Sequence, residues 1–352
     1  MSDRIVEQLL SQAAASPALG SPFTGAVCRL LAERLDRGSA FGRRVLDWQG
    51  DPHRDALALR CTGALNALAR LGREPALTAA YPPAALDPEQ LWAAIAGALV
   101  RHDAALTAFL DSPPQTNEVA RSSAILGGAL HLAHRVRMPL AIYEIGASAG
   151  LNLAFNEYRY ELGNGLTWGA ADAPVTVASE WRGAPPPLDA PLEIASRQGC
   201  DRNPLDPANP ADADRLMAYI WPDQLYRVAR TDAALKLAAA QGLKPERLDA
   251  DAWVEREFAK RQEPGTCRVL LHTIVWQYIP TDSQARIEAV LAEAAAAATA
   301  AAPVARFSME PDGQSSDAAR GAAMTLTIWP GGQPLTVGRV DFHGRWAEWA
   351  NA

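Results

Sequence analysis

Across residues 1 to about 138 the apolar positions recur at helical spacing, and no stretch alternates as a half-buried strand would. Asp51-Pro52 and Asp87-Pro88 each set a capping carboxylate before a proline at a first helical position, and long Ala/Leu stretches follow both. Gly38 and Gly72 stand where C-terminal caps belong. Thr116, Val119 and Ile125 open a further helix that runs to about Val136. The pattern predicts a wholly helical region.

At Met138 the pattern changes. Pro139 ends the helix, and Leu140–Ile145 is a short apolar run suited to a buried strand. Gly146–Gly150 makes a tight turn, and Leu151–Tyr158 resumes helical spacing. Residues 160–215 are rich in loops, with Pro185-Pro186-Pro187 and short strands at Val175–Ser179 and Leu192–Ala195. Helical segments follow at about 211–220 and 223–241. Arg268–Val275 is a second buried strand, and Thr281-Asp282 can cap a helix from Ser283 to about Ala301. Val304–Met309, Met324–Trp329 and Leu335–Phe342 read as closing strands, with Pro330-Gly331-Gly332 turning an antiparallel hairpin.

Strands alternating with helices and ending in a hairpin predict an α/β protein, with a Rossmann-like, mostly parallel sheet and an antiparallel C-terminal hairpin. The expected organisation is a helical N-terminal region over 1–137, acting as a lid or cap. A Rossmann-like cofactor-binding domain over 138–352 follows, with an insertion at about 160–215.

Composition narrows the partners. The 352 residues are 49% hydrophobic and 21% charged, as in an ordinary globular chain. A formal net charge of −7 speaks against nucleic acid as a partner, because phosphate neutralisation calls for a basic surface. Cys28, Cys61, Cys200 and Cys267 form no CxxC pair and read as reduced thiols. MSDRIVEQLL lacks the pattern of a signal peptide, and the alanine-rich Leu291–Ala302 stretch carries Glu293, so a cytoplasmic protein that engages no membrane is expected. His131 and His134 lie three apart on a helix without a third ligand at a suitable spacing, so no metal site is expected.

The chemistry concentrates in Tyr143–Asn152. Gly146 and Gly150 let the backbone turn sharply and approach a ligand, and Ala147, Ser148 and Ala149 leave room for it. Glu144 ends an apolar strand, where a carboxylate needs a polar reason. The segment resembles the first motif of class I S-adenosylmethionine-dependent methyltransferases, an acidic residue followed by a glycine-rich turn. That resemblance implies S-adenosylmethionine as cofactor, a small-molecule substrate, and cofactor contacts from Glu144, Gly146, Ala147, Ser148, Gly150 and Asn152. Ser148 replaces the middle glycine of the usual pattern. The resemblance also implies an acidic residue after the second strand for the ribose hydroxyls, met by Asp201 in GCDRNP with Glu180 as competitor. A further acidic turn for the adenine amino group is met by Asp251. Each aspartate also fits a plain capping role.

In the methyltransferase resemblance LHTIVWQY corresponds to the fourth strand and its exit loop, which implies His272 and Tyr278 as candidates for catalysis, and His343 near the C-terminus is a further catalytic candidate in a cluster that also suits a pocket wall. Packing roles fit the same side chains. GASAG also spells G-x-S-x-G, a hydrolase nucleophile turn with Ser148 as nucleophile, but no oxyanion-loop segment precedes it. A non-catalytic protein with a degenerate nucleotide site is the third reading.

GASAGLNL, GCDRNPLD, WPDQ (Trp221–Gln224), LHTIVWQY and HGRWAEW together resemble an uncharacterised bacterial family, domain of unknown function 2332, over nearly the whole chain. Gly20-Ser21-Pro22 and Gln115-Thr116-Asn117-Glu118 belong to the same likeness. Gln115, Asn117, Glu118 and Arg121 fit either a lid helix facing substrate or a solvated helix N-terminus.

Overall fold

The computed structural model of the protein describes residues 3–312 and 320–350. Two compact units divide it: Met1–Thr116 with Pro210–Asp232, and Asn117–Asn209 with Ala233–Ala352.

The first unit is helical. It contains α1 (Asp3–Ala18), α2 (Pro22–Arg34), α3 (Ala40–Leu46), α4 (Leu57–Arg70), α5 (Pro75–Ala80), α6 (Pro88–Arg101) and α7 (Asp103–Phe109). Their apolar stripes close over one core in which Ile5, Leu9, Leu31, Leu57, Leu65 and Ile95 are buried. Asp87 caps α6 as its Asp-Pro pair predicts, accepting from the amides of Glu89 and Gln90 at 3.0 and 3.1 Å. Asp51 does not cap α4. Its Oδ1 accepts from His53 and Arg54 in a separate turn, and α4 begins only at Leu57, after Ala56 in the left-handed region.

Two segments of the family likeness meet in this unit. Asp223 of WPDQ accepts from the Ser21 hydroxyl at 2.5 Å and the Phe23 amide at 2.9 Å, and Gln224 donates to the Leu19 carbonyl at 3.0 Å. The polar residues of both segments therefore tie the start of α2 to the returning chain.

The second unit opens with α8 (Ser122–Val136) and β1 (Leu140–Ile145). A small sheet follows, with β2 (Arg159–Glu161) between β3 (Thr167–Trp168) and β4 (Thr176–Ala178). β5 (Glu180–Gly183) and β6 (Ile194–Asp201) precede α9 (Pro210–Ala218), which lies in the first unit. α10 (Leu225–Ala240) leads to β7 (Glu246–Arg247), α11 (Ala250–Phe258), β8 (Cys267–Thr273), α12 (Thr281–Ala297), β9 (Val304–Glu310), β10 (Ala322–Trp329), β11 (Leu335–Val340) and β12 (Trp346–Trp349).

The large sheet runs β5-β12-β11-β10-β9-β8-β1-β6-β7. Its five strands β7, β6, β1, β8 and β9 are parallel, whereas β10, β11 and β12 pair antiparallel. Taken in chain order, the parallel half reads third-second-first-fourth-fifth, the doubly wound arrangement. The expected hairpin is present, its turn closed by Gly332 N–H donating to the Ile328 carbonyl at 2.8 Å. β12 and its parallel partner β5 extend the sheet beyond that hairpin.

Side chains alternate across β1 and β8. Tyr143, Ile145 and Leu270 pack with Trp253, Val254, Phe258, Ile287 and Leu291 of α11 and α12. Ile142, Val269 and Leu271 face α8. α8 sits close because it carries paired glycines. A Cβ on Gly128 would lie 2.4 Å from the Phe307 ring, and one on Gly127 would lie 2.0 Å from Trp349. The chain stays helical to Val136, but the second unit already begins at Asn117, so α8 is a layer of the sheet unit, and residues 210–232 join the first unit.

Candidate functional site

β1 delivers the chain into the glycine turn with two left-handed glycines, Gly146 (φ +70°) and Gly150 (φ +73°), and with Ser148 also left-handed at φ +55°. A glycine is the ordinary choice at such a φ, and Ser148 holds it against a steric cost. A Cβ on Gly146 would fall 2.4 Å from Cγ2 of Val275, so only glycine lets the turn and the end of β8 touch.

The amides of this turn are occupied by the protein. Ala147 N–H donates to the Cys200 carbonyl at 3.0 Å, and Ser148 N–H to Asp201 Oδ2 at 3.0 Å. Asn117 Oδ1 accepts from Ala149 at 3.3 Å and from Leu151 at 2.9 Å, and Gly150 N–H reaches the Ala147 carbonyl. Leu151–Glu157 continues as a 3₁₀ segment instead of the expected α-helix.

Around the turn lie buried polar atoms with no hydrogen-bond partner among the described residues: Oε2 of Glu144, Oγ of Ser148 and Oδ1 of Asn152. Glu144 is 2% exposed. Its burial, reinforced by the nearby Asp201 carboxylate and opposed by Arg121, pushes its pKa up to about 8. At neutral pH this carboxyl is mostly protonated.

The C-terminal ends of β1, β6 and β8 open into a cleft of about 260 Å³. Gly146, Asp201 with Arg202, Asp249–Asp251, and Val275 with Tyr278–Pro280 line it. It sits where strand order reverses, the place at which open α/β sheets bind ligands. Asp201 closes β6 and uses Oδ1 to accept from Asn203 N–H at 2.8 Å, so the carboxylate braces both its own turn and the glycine turn. Asp251 lies in the first turn of α11, not at its cap, and Arg286 Nε donates to Oδ2 at 2.7 Å. Burial works against its charge, but hydrogen bonds from Arg286, Ser283 and Ala252 outweigh it and hold the carboxyl below its usual range.

His272 lies on β8 with its side chain buried, stacked on Trp276 at 5.1 Å and held at both ring nitrogens. Nδ1 is 2.7 Å from Glu310 Oε1, and Nε2 accepts from Arg306 Nε at 3.0 Å. Desolvation lowers its pKa, Arg306 adds to that, and Glu310 opposes it. His343 lies in the turn before β12, where its amide donates to Asp341 Oδ2.

The structure thus brings Gly146, Asp201, Asp251 and Tyr278 into one cleft from four separated stretches of chain. Glu144 on β1, Ala147, Ser148 and Gly150 in the turn, and Asn152 in the 3₁₀ segment after it are not among the lining residues. His272 and His343 are not among the lining residues, and neither is Glu180, which lies on β5 beside β12. Tyr278 is 70% exposed. Among the described residues Ser148 Oγ has no hydrogen-bond partner, and none of them addresses it as the base of a hydrolase nucleophile would. Asn117 has neither expected role: it is buried and acts as an acceptor for the glycine turn. Its quoted motif was the available signal, whereas Arg286 and Glu310 carried none.

No helix among the described residues is long and apolar enough to cross a membrane. No curated protein and no solved structure matches the chain. Residues 6–349 match the family model described as an uncharacterized protein conserved in bacteria (DUF2332). Since the match spans both units, including the segments that build the cleft, the chain belongs to this family of bacterial proteins.

Proposed function

We propose that this protein is an S-adenosylmethionine-dependent methyltransferase acting on a small molecule. The observation that carries the reading is the cleft itself, where a glycine turn, Asp201 and Asp251 converge at the switch point of a doubly wound sheet. Its volume of about 260 Å³ suits the adenosine portion of such a cofactor. Asp201 and Asp251 present acceptors toward hydroxyl and amino groups, and Val275, Ile279 and Pro280 offer an apolar wall to a purine. The oxygens of Glu144, Ser148 and Asn152 that have no partner among the described residues lie in or beside the turn that would meet the rest of the cofactor.

The occupied amides favour this cofactor over a dinucleotide. A pyrophosphate binds to free N–H groups at a glycine turn, but residues 147–151 donate theirs to the protein. An adenosyl group makes no such demand. When bound, S-adenosylmethionine supplies a methyl group activated on a sulfonium. The protein's part is to align the acceptor for in-line displacement, which requires positioning more than acid–base groups.

Calorimetric titration with S-adenosylmethionine and S-adenosylhomocysteine tests the reading. Binding that is lost in Asp201→Ala supports it. Absence of heat and of thermal stabilisation with both ligands at about 1 mM, where even a weak site adds measurable stability, rejects it.

A further inference from the structure

Part of the cleft lining is a short loop, Val275–Pro280, that leaves β8 through an unfavourable residue. Ile274 is β-branched and sits at φ +52°, a conformation that persists only where its surroundings impose it. What imposes it is visible. Both carboxylate oxygens of Glu310, at the end of β9, accept from the Val275 amide at 3.2 Å. Ile274 N–H donates to the Met309 carbonyl at 2.9 Å. Val275 in turn is the residue against which Gly146 is packed.

Glu310 is itself held by His272, and the partners of His272 determine its protonation. Arg306 Nε can only donate, so His272 Nε2 must be the acceptor. The proton therefore resides on Nδ1 and is donated to Glu310. Arg306 lies 4.5 Å from the Trp276 ring centroid and pairs through Nη1 with Glu288 at 2.6 Å. The charged groups facing the imidazole are thus Glu310, Arg306 and, behind it, Glu288. A second proton on the ring would set two donors against each other at Nε2.

We propose that His272 and Glu310 are positioning residues for the adenosyl site: neutral His272 orients Glu310, and Glu310 holds Val275 so that the loop presents its apolar wall to the cofactor. This rests on the adenosyl reading above and gives His272 a role that needs no access to substrate. Glu310→Gln keeps the shape but puts an amide donor in place of one carboxylate oxygen: in one orientation it costs one of the two contacts to the Val275 amide, and in the other it costs the His272 contact and one to Val275.

The test combines three measurements on the full chain. Calorimetry is expected to show S-adenosylhomocysteine binding weakened at least about tenfold in Glu310→Gln, with the variant still folded by circular dichroism. Nitrogen-15 spectra of the imidazoles are expected to give a neutral, Nδ1-protonated His272. The affinity should fall on the acid side in step with that ring's titration, a fall that disappears in His272→Gln. Should Glu310→Gln not fold, Glu310→Asp, which keeps the charge but not the reach, is expected to show the same loss. Wild type that binds while folded variants bind within about twofold of it overturns the proposal. If wild type binds no adenosyl ligand, the cofactor reading has failed. Hydrogen exchange at the Val275 amide then decides the positioning claim, which falls if Glu310→Gln leaves protection unchanged.

Discussion

Glu144→Gln probes the turn most directly, because it changes charge and leaves shape. In the folded chain the Glu144 carboxyl rises from its ordinary value of 4.5 to about 8, through burial first and the Asp201 carboxylate second. The folded state consequently keeps a proton that the unfolded chain loses. Its stabilising effect is complete below about pH 4.5 and is lost as pH rises through about 8. At about 1.36 kcal/mol for each pH unit, wild type should lose roughly 4 kcal/mol relative to Glu144→Gln between about pH 5 and about pH 8. Above about pH 8 the difference should level off.

Urea unfolding of both proteins at half-unit pH intervals measures this, because the difference between the two curves cancels other titrating groups. Parallel curves would refute the reasoning, since they would mean that Glu144 is ionised in the folded protein at neutral pH. A buried carboxyl with an unpartnered oxygen is a poor structural choice, one that an apolar side chain of similar volume would improve upon. On the cofactor reading proposed above, its place beside the glycine turn serves a ligand that uses it.

Three further substitutions test the geometry of the site. Gly146→Ala places a methyl 2.4 Å from Val275 at φ +70°, so it should cost about 1–3 kcal/mol in urea unfolding and abolish S-adenosylhomocysteine binding. Ser148→Gly removes a side chain from φ +55° and a buried hydroxyl without a partner; it should leave stability unchanged or raise it by about 1 kcal/mol. Wild type should give no labelling with a fluorophosphonate probe, and labelling that Ser148→Ala removes would support the hydrolase reading instead. Asp251→Asn weakens the contact with Arg286 and is expected to weaken adenosyl binding about tenfold by calorimetry, with unchanged affinity counting against an adenine contact.

What could be read before folding was whatever the chain repeats or breaks locally. The apolar runs of β1 and β8 are period signals, and Glu144 stood out because a carboxylate interrupts one of them. The close packing of α8 against the sheet also had a local trace. Gly127-Gly128 inside an otherwise strong helix costs propensity, and the return is contact with Phe307 and Trp349. The polar support of the site had no such signature. Asn117 and Leu151 are 34 residues apart, Asp251 and Arg286 35, and His272 and Glu310 38. Each of these polar residues suits an exposed position as well as a buried one, so hydrophobic periodicity is silent on which it occupies. Only the strand order, which brings the ends of β8 and β9 side by side, makes Glu310 the acceptor that an imidazole and a strained loop both require. Gly146, Asp201, Asp251 and Tyr278, four of the residues that line the cleft, were therefore nameable from motif and order, whereas those that hold it in shape follow from topology.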